Sequence, residues 1–333
     1  MKRLDHILRL NDFYKVAIAI FIFVLGFYFL WAFILLIIYL IWIRKQIHIL
    51  FFVLIVVVIS LRYALLTNYD EEIITQNVEV VSIDTYDEYA RYTVKYSRYK
   101  FHFYSGINTY QLGDLLYVKG EVIPYKVQTV NKGFNARQYF LSFHIYGKID
   151  IDEITFIDHS FHINSLRENL KSTVKDLKSN TYLSAFIFGE KIRDADTLDT
   201  YFDFNILYLF TISGLHVYVL MTLIKKILFL LNVEDWFTHI FIIGIYLCMC
   251  YLNLFSFAVT RLLIMYVIRL MNKKYEINMQ NLDMIGLSCV LMIIFDIGLI
   301  YHQGFIITFM IIICLELIHP VLKPFHPYTK KIM

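Results

Sequence analysis

Hydrophobic and polar positions fall into three regimes along this chain. Val16 to Ile43 is almost unbroken hydrocarbon, and after Arg44-Lys45 a second run extends from Ile47 to Leu66. Between residues 68 and 160 the apolar residues come instead in short, β-rich segments. These are Val78–Ile83, Tyr89–Tyr96, Arg98–Tyr104, Leu115–Val122 and Phe143–Ile151, separated by Ser105-Gly106, Leu112-Gly113-Asp114 and Asn131-Lys132-Gly133. Aromatic and β-branched runs between such turn signals read as strands. Their number suits a small barrel, for which an OB-fold is one form, or a β-sandwich. From Phe161 the period lengthens: Ile163, Leu166, Leu170, Val174 and Leu177 recur at spacings of three and four, with Arg167, Lys171, Lys175 and Lys178 on the polar side. That pattern predicts an amphipathic helix lying in a membrane interface. The apolar segments Ile206–Ile224, Trp236–Leu254, Phe255–Leu270, Leu282–Ile300 and Phe305–Ile318 follow as candidate spans.

The first run is ambiguous, because as one helix it would reach ~42 Å against a hydrocarbon core of ~30 Å. It is either one tilted helix or a hairpin turning near Gly26. Lys2, Arg3, Arg9 and Lys15 precede it and Arg44-Lys45 follow it. Cytoplasmic flanks are the ones enriched in Lys and Arg, so a hairpin places both flanks inside and delivers the 68–160 domain outside. Lys225-Lys226, Lys273-Lys274 and the Lys323/Lys330/Lys331 tail fall after the first, third and fifth downstream segments, which fits the same topology. The expected fold class is therefore a polytopic α-helical membrane protein with an inserted small all-β, OB-like extracellular domain. Residues 1–67 hold the N-terminal helices, 68–160 the barrel, 161–200 the interfacial helix and linker, and 201–333 a further transmembrane domain.

Composition agrees. Of 333 residues 59% are hydrophobic and 18% charged, against about 45–50% and about 25% in soluble domains. A formal net charge of +3 implies no nucleic-acid partner by itself. Cys248, Cys250, Cys289 and Cys314 all sit in apolar runs, without zinc spacing, and read as packing residues. No cleavable signal peptide is evident, since the first apolar run is too long and lacks a small-residue cleavage site.

A few residues could carry chemistry. Within Thr211-Ile-Ser-Gly-Leu-His-Val217, a Ser-Gly pair and a histidine interrupt an apolar helix. Such an insertion is tolerated at bilayer depth where it packs on protein or lines a wet cavity. Ser213, Gly214, Leu215 and His216 thus either line a pathway or serve helix packing, and a Ser/His nucleophile lacks an orienting carboxylate. Arg261 and Arg269 lie about 800° apart around a helix axis, roughly one face. Arg269 can snorkel, while Arg261 is either a phosphate contact or a structural cation paired with a helix C-terminal carbonyl or an acidic residue, for which Asp296 and Glu316 are candidates. The segment RYTVKYSRYKFHFY, residues 91–104, interleaves Arg91, Lys95, Arg98 and Lys100 with Tyr92, Tyr96 and other aromatics. Stacking rings and phosphate-tracking cations form single-strand binding surfaces; alternation along a strand equally sends half of these rings into a core. The domain as a whole is more acidic than basic. Asp158-His159-Ser-Phe-His162 reads as a linker, and no metal or cofactor is expected.

These residues carry a resemblance. Leu209-Phe-Thr-Ile-Ser-Gly-Leu-His-Val217 resembles the hallmark segment of the ComEC-type competence protein family of bacterial DNA-uptake channels. Leu112-Gly-Asp114, Val118-Lys-Gly120, Pro124, Asn131–Asn135, Tyr139-Phe140 and Ile145-Tyr-Gly147 are similar to the end of that family's extracellular OB-like domain. Phe255-Ser-Phe-Ala-Val-Thr-Arg261 and Gly304-Phe305-Ile-Ile-Thr-Phe309 resemble two later motifs. Departures are Asn205 and Tyr208 for the usual Gly and His, a Ser-Pro-Ser lacking its Pro before Arg261, Ile306-Ile-Thr308 for Gln-Leu-Ser, and Asn135 for the common Asp. Fuller members continue into a metallo-β-lactamase-like domain, and no His-x-His-x-Asp-His run occurs here, so no enzymatic activity is expected. The resemblance implies a channel component in the bacterial cytoplasmic membrane that passes single-stranded DNA inward during natural transformation. Its implied partners are single-stranded DNA, the lipid bilayer, a DNA receptor, a cytoplasmic translocation ATPase, a separate chain supplying a C-terminal part, and further copies of itself. The alternatives are a membrane-anchored extracellular binding protein without transport, or a shortened, inactive relative.

Overall fold

A computed structural model describes residues 13–26, 31–43, 73–86, 88–97, 99–107, 109–126, 135–160, 163–175, 183–184, 187–189 and 214–322. The chain divides into two compact units, one of residues 64–212 and one joining residues 1–63 to 213–333.

In the first unit, β1 (Ile73–Thr85), β2 (Ala90–Tyr96), β3 (Tyr99–Ser105), β4 (Asp114–Pro124) and β5 (Ile145–His159) form a closed barrel in the order β1-β2-β3-β5-β4. All five expected strands are present, and most are longer than the sequence pattern suggested. Neighbours pair antiparallel except β3 and β5, which run parallel and close the barrel. One long strand can serve both β2 and β4 because β1 bends, and its register shifts between Val80 and Ser82, as a β-bulge allows. Gly120 permits the β4–β5 approach: a Cβ there would lie 2.1 Å from the Asp150 carbonyl oxygen.

Alternation along the strands fills the interior with Val78, Val80, Tyr92, Val94, Phe101, Phe103, Leu116 and Val118. Tyr92 and Phe103 stack with ring centres 5.0 Å apart, and Tyr110 meets both edge-on. The short helix α3 (Ala136–Leu141) lies between β4 and β5, and its N-cap Asn135 accepts a hydrogen bond from the Gln138 amide. The expected amphipathic helix is α4 (Asn164–Lys175). Its Asn164 side chain donates to the Val81 carbonyl, and Arg167 donates to the Phe188 carbonyl.

The second unit is helical: α1 (Phe13–Gly26), α2 (Trp31–Ile43), α5 (Gly214–Leu230), α6 (Asp235–Leu252), α7 (Phe257–Lys274), α8 (Asn281–Phe295) and α9 (Gln303–Leu322). The ambiguity of the first run resolves as a hairpin. The Tyr39 hydroxyl donates to the Lys15 carbonyl at 3.3 Å; in one continuous helix these residues would stand ~36 Å apart. Gly286 on α8 lets α1 pack directly against it, since a Cβ there would sit 2.3 Å from the Tyr14 nitrogen. Close backbone approach at small residues is how helices associate without a hydrophobic driving force.

Two expectations change. The segment 282–300 is not one helix: α8 ends at Phe295, and the Asp296 carboxylate accepts the Gly298 amide to start a 3₁₀ turn, Ile297–Tyr301. Asp296 is thus a cap. Among the described residues one helix, Asp235–Leu252, is long and apolar enough to cross a membrane. Phe13–Phe23, Asn281–Phe295 and Gln303–Ile318 are shorter apolar helices, and α7 carries four basic residues. The second apolar run, Ile47–Leu66, lies outside the described residues.

Candidate nucleic-acid interface and a cationic cleft

Strand alternation splits the cation–aromatic segment between the two sides of the barrel wall. Tyr92 is fully buried; its hydroxyl donates to the Gly106 carbonyl and accepts the Thr109 amide. Tyr96 also packs on the interior. The buried Tyr92 ring presents no face to a ligand, which corrects its reading as a stacking contact, while Tyr96 is partly exposed. Arg91 and Lys95 take the outer side, Lys95 opposite Lys100 on β3. Arg98 lies outside the described residues.

The outer side has its own aromatic set, which sequence reasoning missed. Tyr86 and Tyr89, from the β1–β2 loop, stack at 4.9 Å, and Tyr89 meets Tyr104 edge-on at 5.8 Å. All three are exposed. Arg91 lies over the Tyr86 ring and donates to Asp84 at 2.8 Å. Burial works to lower the Arg91 pKa, but the Asp84 carboxylate outweighs it and the net shift is upward. Tyr86-Asp-Glu-Tyr89 was the available signal, two tyrosines in a polar loop beside Arg91.

Next to this surface, His102 points outward yet is 1% exposed. Tyr125 and Phe140 stack at 4.0 Å, and Phe140 covers the imidazole edge-on. Burial, reinforced by the Arg91 charge, pushes His102 down to about 4. Burial and Tyr104 hold Tyr125 well above the usual phenol range. The Tyr125 hydroxyl and Nδ1 share a hydrogen bond at 2.5 Å, and the other ring nitrogen is Nε2. That nitrogen and Arg91 Nε are buried with no hydrogen-bond partner among the described residues.

In the helical unit, α6 ends in a tight turn where Leu254 and Phe255 both adopt positive φ, 50° and 54°. Left-handed backbone at such residues costs about 1–2 kcal/mol each. Thr260 donates to the Phe255 carbonyl, and α7 then delivers Arg261 one turn into the unit. Arg261 is 7% exposed. Its guanidinium lies over the Phe309 ring at 5.6 Å, and Nη1 has no hydrogen-bond partner among the described residues. Among the described residues no carboxylate pairs with it, neither Asp296 nor Glu316.

Arg261 opens into a cleft of about 190 Å³, lined also by Arg269, Tyr218, Tyr246 and Tyr266, with aliphatic Leu262, Met265 and Ile312. The two arginines expected on one face do share it. The Tyr266 hydroxyl contacts His239 Nδ1 at 2.8 Å. Gly304 and Phe305 stand behind Arg261: Phe305 is buried against Phe309 and Phe257, and a Cβ on Gly304 would press on Phe257 and His302. Gly214 begins α5, and His216 is half-buried on it. Ser213 and the Leu215 side chain lie outside the described residues.

A protein-family comparison finds the Competence protein family over residues 186–332. No curated protein and no solved structure matches the chain. That segment contains the entire Arg261 cleft, so the cleft lies in the part of the chain that is similar to the competence protein family.

Proposed function

We propose that the chain is a membrane component of DNA uptake in natural transformation, passing single-stranded DNA toward the cytoplasm. The observation that carries this reading is the family match over residues 186–332. In this reading the α1–α2 hairpin and the later apolar helices form a multi-pass assembly in the bacterial cytoplasmic membrane. Lysine-bearing helix ends face inward, and the barrel lies outside. The barrel's strand order and its parallel β3–β5 pair support an OB-type assignment. OB-folds bind oligonucleotides on the β2–β3 face, between the loops that join strands 1–2 and 4–5. Here that face holds Arg91, Lys95, Lys100 and Tyr104, and those loops supply Tyr86, Tyr89, Tyr125 and Phe140.

The test is internalisation of labelled DNA by cells that lack the chain and by cells complemented with it. Wild-type internalisation without the chain sinks the uptake reading. A second reading, a membrane-anchored extracellular binding protein without transport, draws on the single described helix that meets the length of a span. It predicts that cells lacking the chain lose surface-bound DNA, while His216→Ala, made at normal protein level, leaves internalisation intact.

A further inference from the structure

The Arg261 cleft is rich in donors and poor in acceptors. Besides Arg261, whose Nη1 is unpartnered among the described residues, the donor-bearing residues Arg269, Tyr218 and Tyr246 line it. Among the described residues none of these three has a hydrogen-bond or ion-pair partner, and none of the lining residues is a carboxylate. A structural arginine buried to this degree needs a counter-charge, because an unpaired buried cation costs several kcal/mol. Phe309 supplies only a ring face, worth roughly 0.5–2 kcal/mol. Among the described residues nothing supplies that counter-charge, which leaves the site open to an external anion.

Shape and donor type narrow the choice. Two guanidiniums and two free hydroxyls can surround a tetrahedral oxyanion, and arginine's planar fork matches phosphate geometry. The volume of about 190 Å³ accommodates one such group with part of its substituents. The cleft also continues a cationic row: along α7, Arg261, Arg269 and Lys273 cover twelve residues, ~18 Å. Lys273 and Lys225 both act electrostatically on His239, which contacts the cleft's Tyr266. An anion leaving Arg261 meets further positive charge in the direction of the lysine-bearing ends.

We propose that this cleft is a phosphodiester-binding station that holds the backbone of single-stranded DNA one phosphate at a time, Arg261 as the deep contact and Arg269 as the outer one. The assignment to nucleic acid rests on the uptake reading; the anion site itself rests on the geometry. Sequence-independent backbone contacts of this kind let a strand move through without reading its bases.

The test uses the full-length chain in phosphatidylcholine nanodiscs, with a photoreactive side chain placed at Ile312 on the cleft wall and a labelled oligothymidylate as probe. Crosslinking to the native oligonucleotide is expected. It should fall about tenfold or more with Arg261→Gln, with Arg269→Gln, or when the oligonucleotide backbone is uncharged methylphosphonate. Lys119→Gln, on the β4 side of the barrel and paired there with Glu153, should leave the Ile312 crosslink unchanged. Because Arg269 is exposed, its variant keeps the test valid if Arg261→Gln fails to fold. Equal crosslinking of charged and uncharged oligonucleotides overturns the proposal, as does recovery of phosphatidylcholine instead of oligonucleotide on the photoreactive side chain. In cells, normal internalisation by the Arg261→Gln/Arg269→Gln double variant, where deletion of the chain abolishes it, overturns the cleft alone. Normal internalisation in the deletion strain instead overturns the uptake reading.

Discussion

The barrel and the helical unit each hold an arginine against an aromatic ring, with opposite accounting of charge. Arg91 lies over Tyr86 with Asp84 at 2.8 Å, so its charge is balanced at a partly solvated surface. Arg261 lies over Phe309 with no carboxylate among the described residues and is nearly excluded from solvent. In the first arrangement Asp84 already supplies the counter-charge, so a polyanion would have to compete with it. The second retains a desolvation cost that the proposed phosphodiester would relieve. The two units also differ in where they keep their apolar surface. The barrel turns it inward, whereas α5 and α6 expose Leu223, Ile227, Phe229, Trp236, Phe237 and Phe241, as suits lipid contact.

The largest expected break in this comparison is in the barrel core. Phe103→Ala removes the ring stacked on Tyr92 and is expected to cost about 3–5 kcal/mol. Pulse proteolysis of the full-length chain in urea should show the barrel opening at lower denaturant, with the helical unit unaffected. A shared shift would mean the units unfold together.

The next effect concerns pH. His102 titrates at about 4 in the folded barrel, against about 6.5 unfolded. Between these values the unfolded state binds the extra proton, so stability is intact above pH 6.5 and is lost as pH falls toward 4. The full loss is about 3 kcal/mol. The same proteolysis at pH 7.5 and 5 should show it, and His102→Phe should flatten the slope. An unchanged slope in that variant would remove His102 as its cause.

Gly286→Val should cost at least about 1–3 kcal/mol, because its side chain would occupy the backbone of Tyr14. A lowered Tm of the detergent-solubilised chain checks the α1–α8 contact, and an unchanged Tm would refute the close approach. The smallest effect sharpens the arginine comparison. Asp84→Asn should release Arg91 and tighten binding of single-stranded DNA, steepening the log–log salt dependence by about 0.7 for one added phosphate contact. Arg91→Gln should do the reverse. Identical salt slopes in both variants would show that Arg91 does not touch the backbone.

The sequence by itself determined the regimes of the chain and much of their geometry. Period-two alternation and turn residues placed all five strands, since a strand that faces a core on one side must alternate. Spacings of three and four placed α4, and helical periodicity put Arg261 and Arg269 on one face. Tertiary structure decided what those patterns could not encode. In RYTVKYSRYKFHFY the period identifies two sets of residues but not which set faces inward; barrel closure decided that Tyr92 and Tyr96 are core. Closure also gathered Tyr86, Tyr89 and Tyr104 from a loop and a third strand. Likewise Tyr39 meets Lys15 because the chain reverses, Asp296 is a helix cap because the helix ends at Phe295, and Tyr218 and Tyr246 join Arg261 from separate helices. Local periodicity fixes which side of an element a residue occupies. Only packing fixes what lies opposite, and for Arg261 that is the Phe309 ring, where the sequence left a phosphate, a helix carbonyl and a carboxylate open.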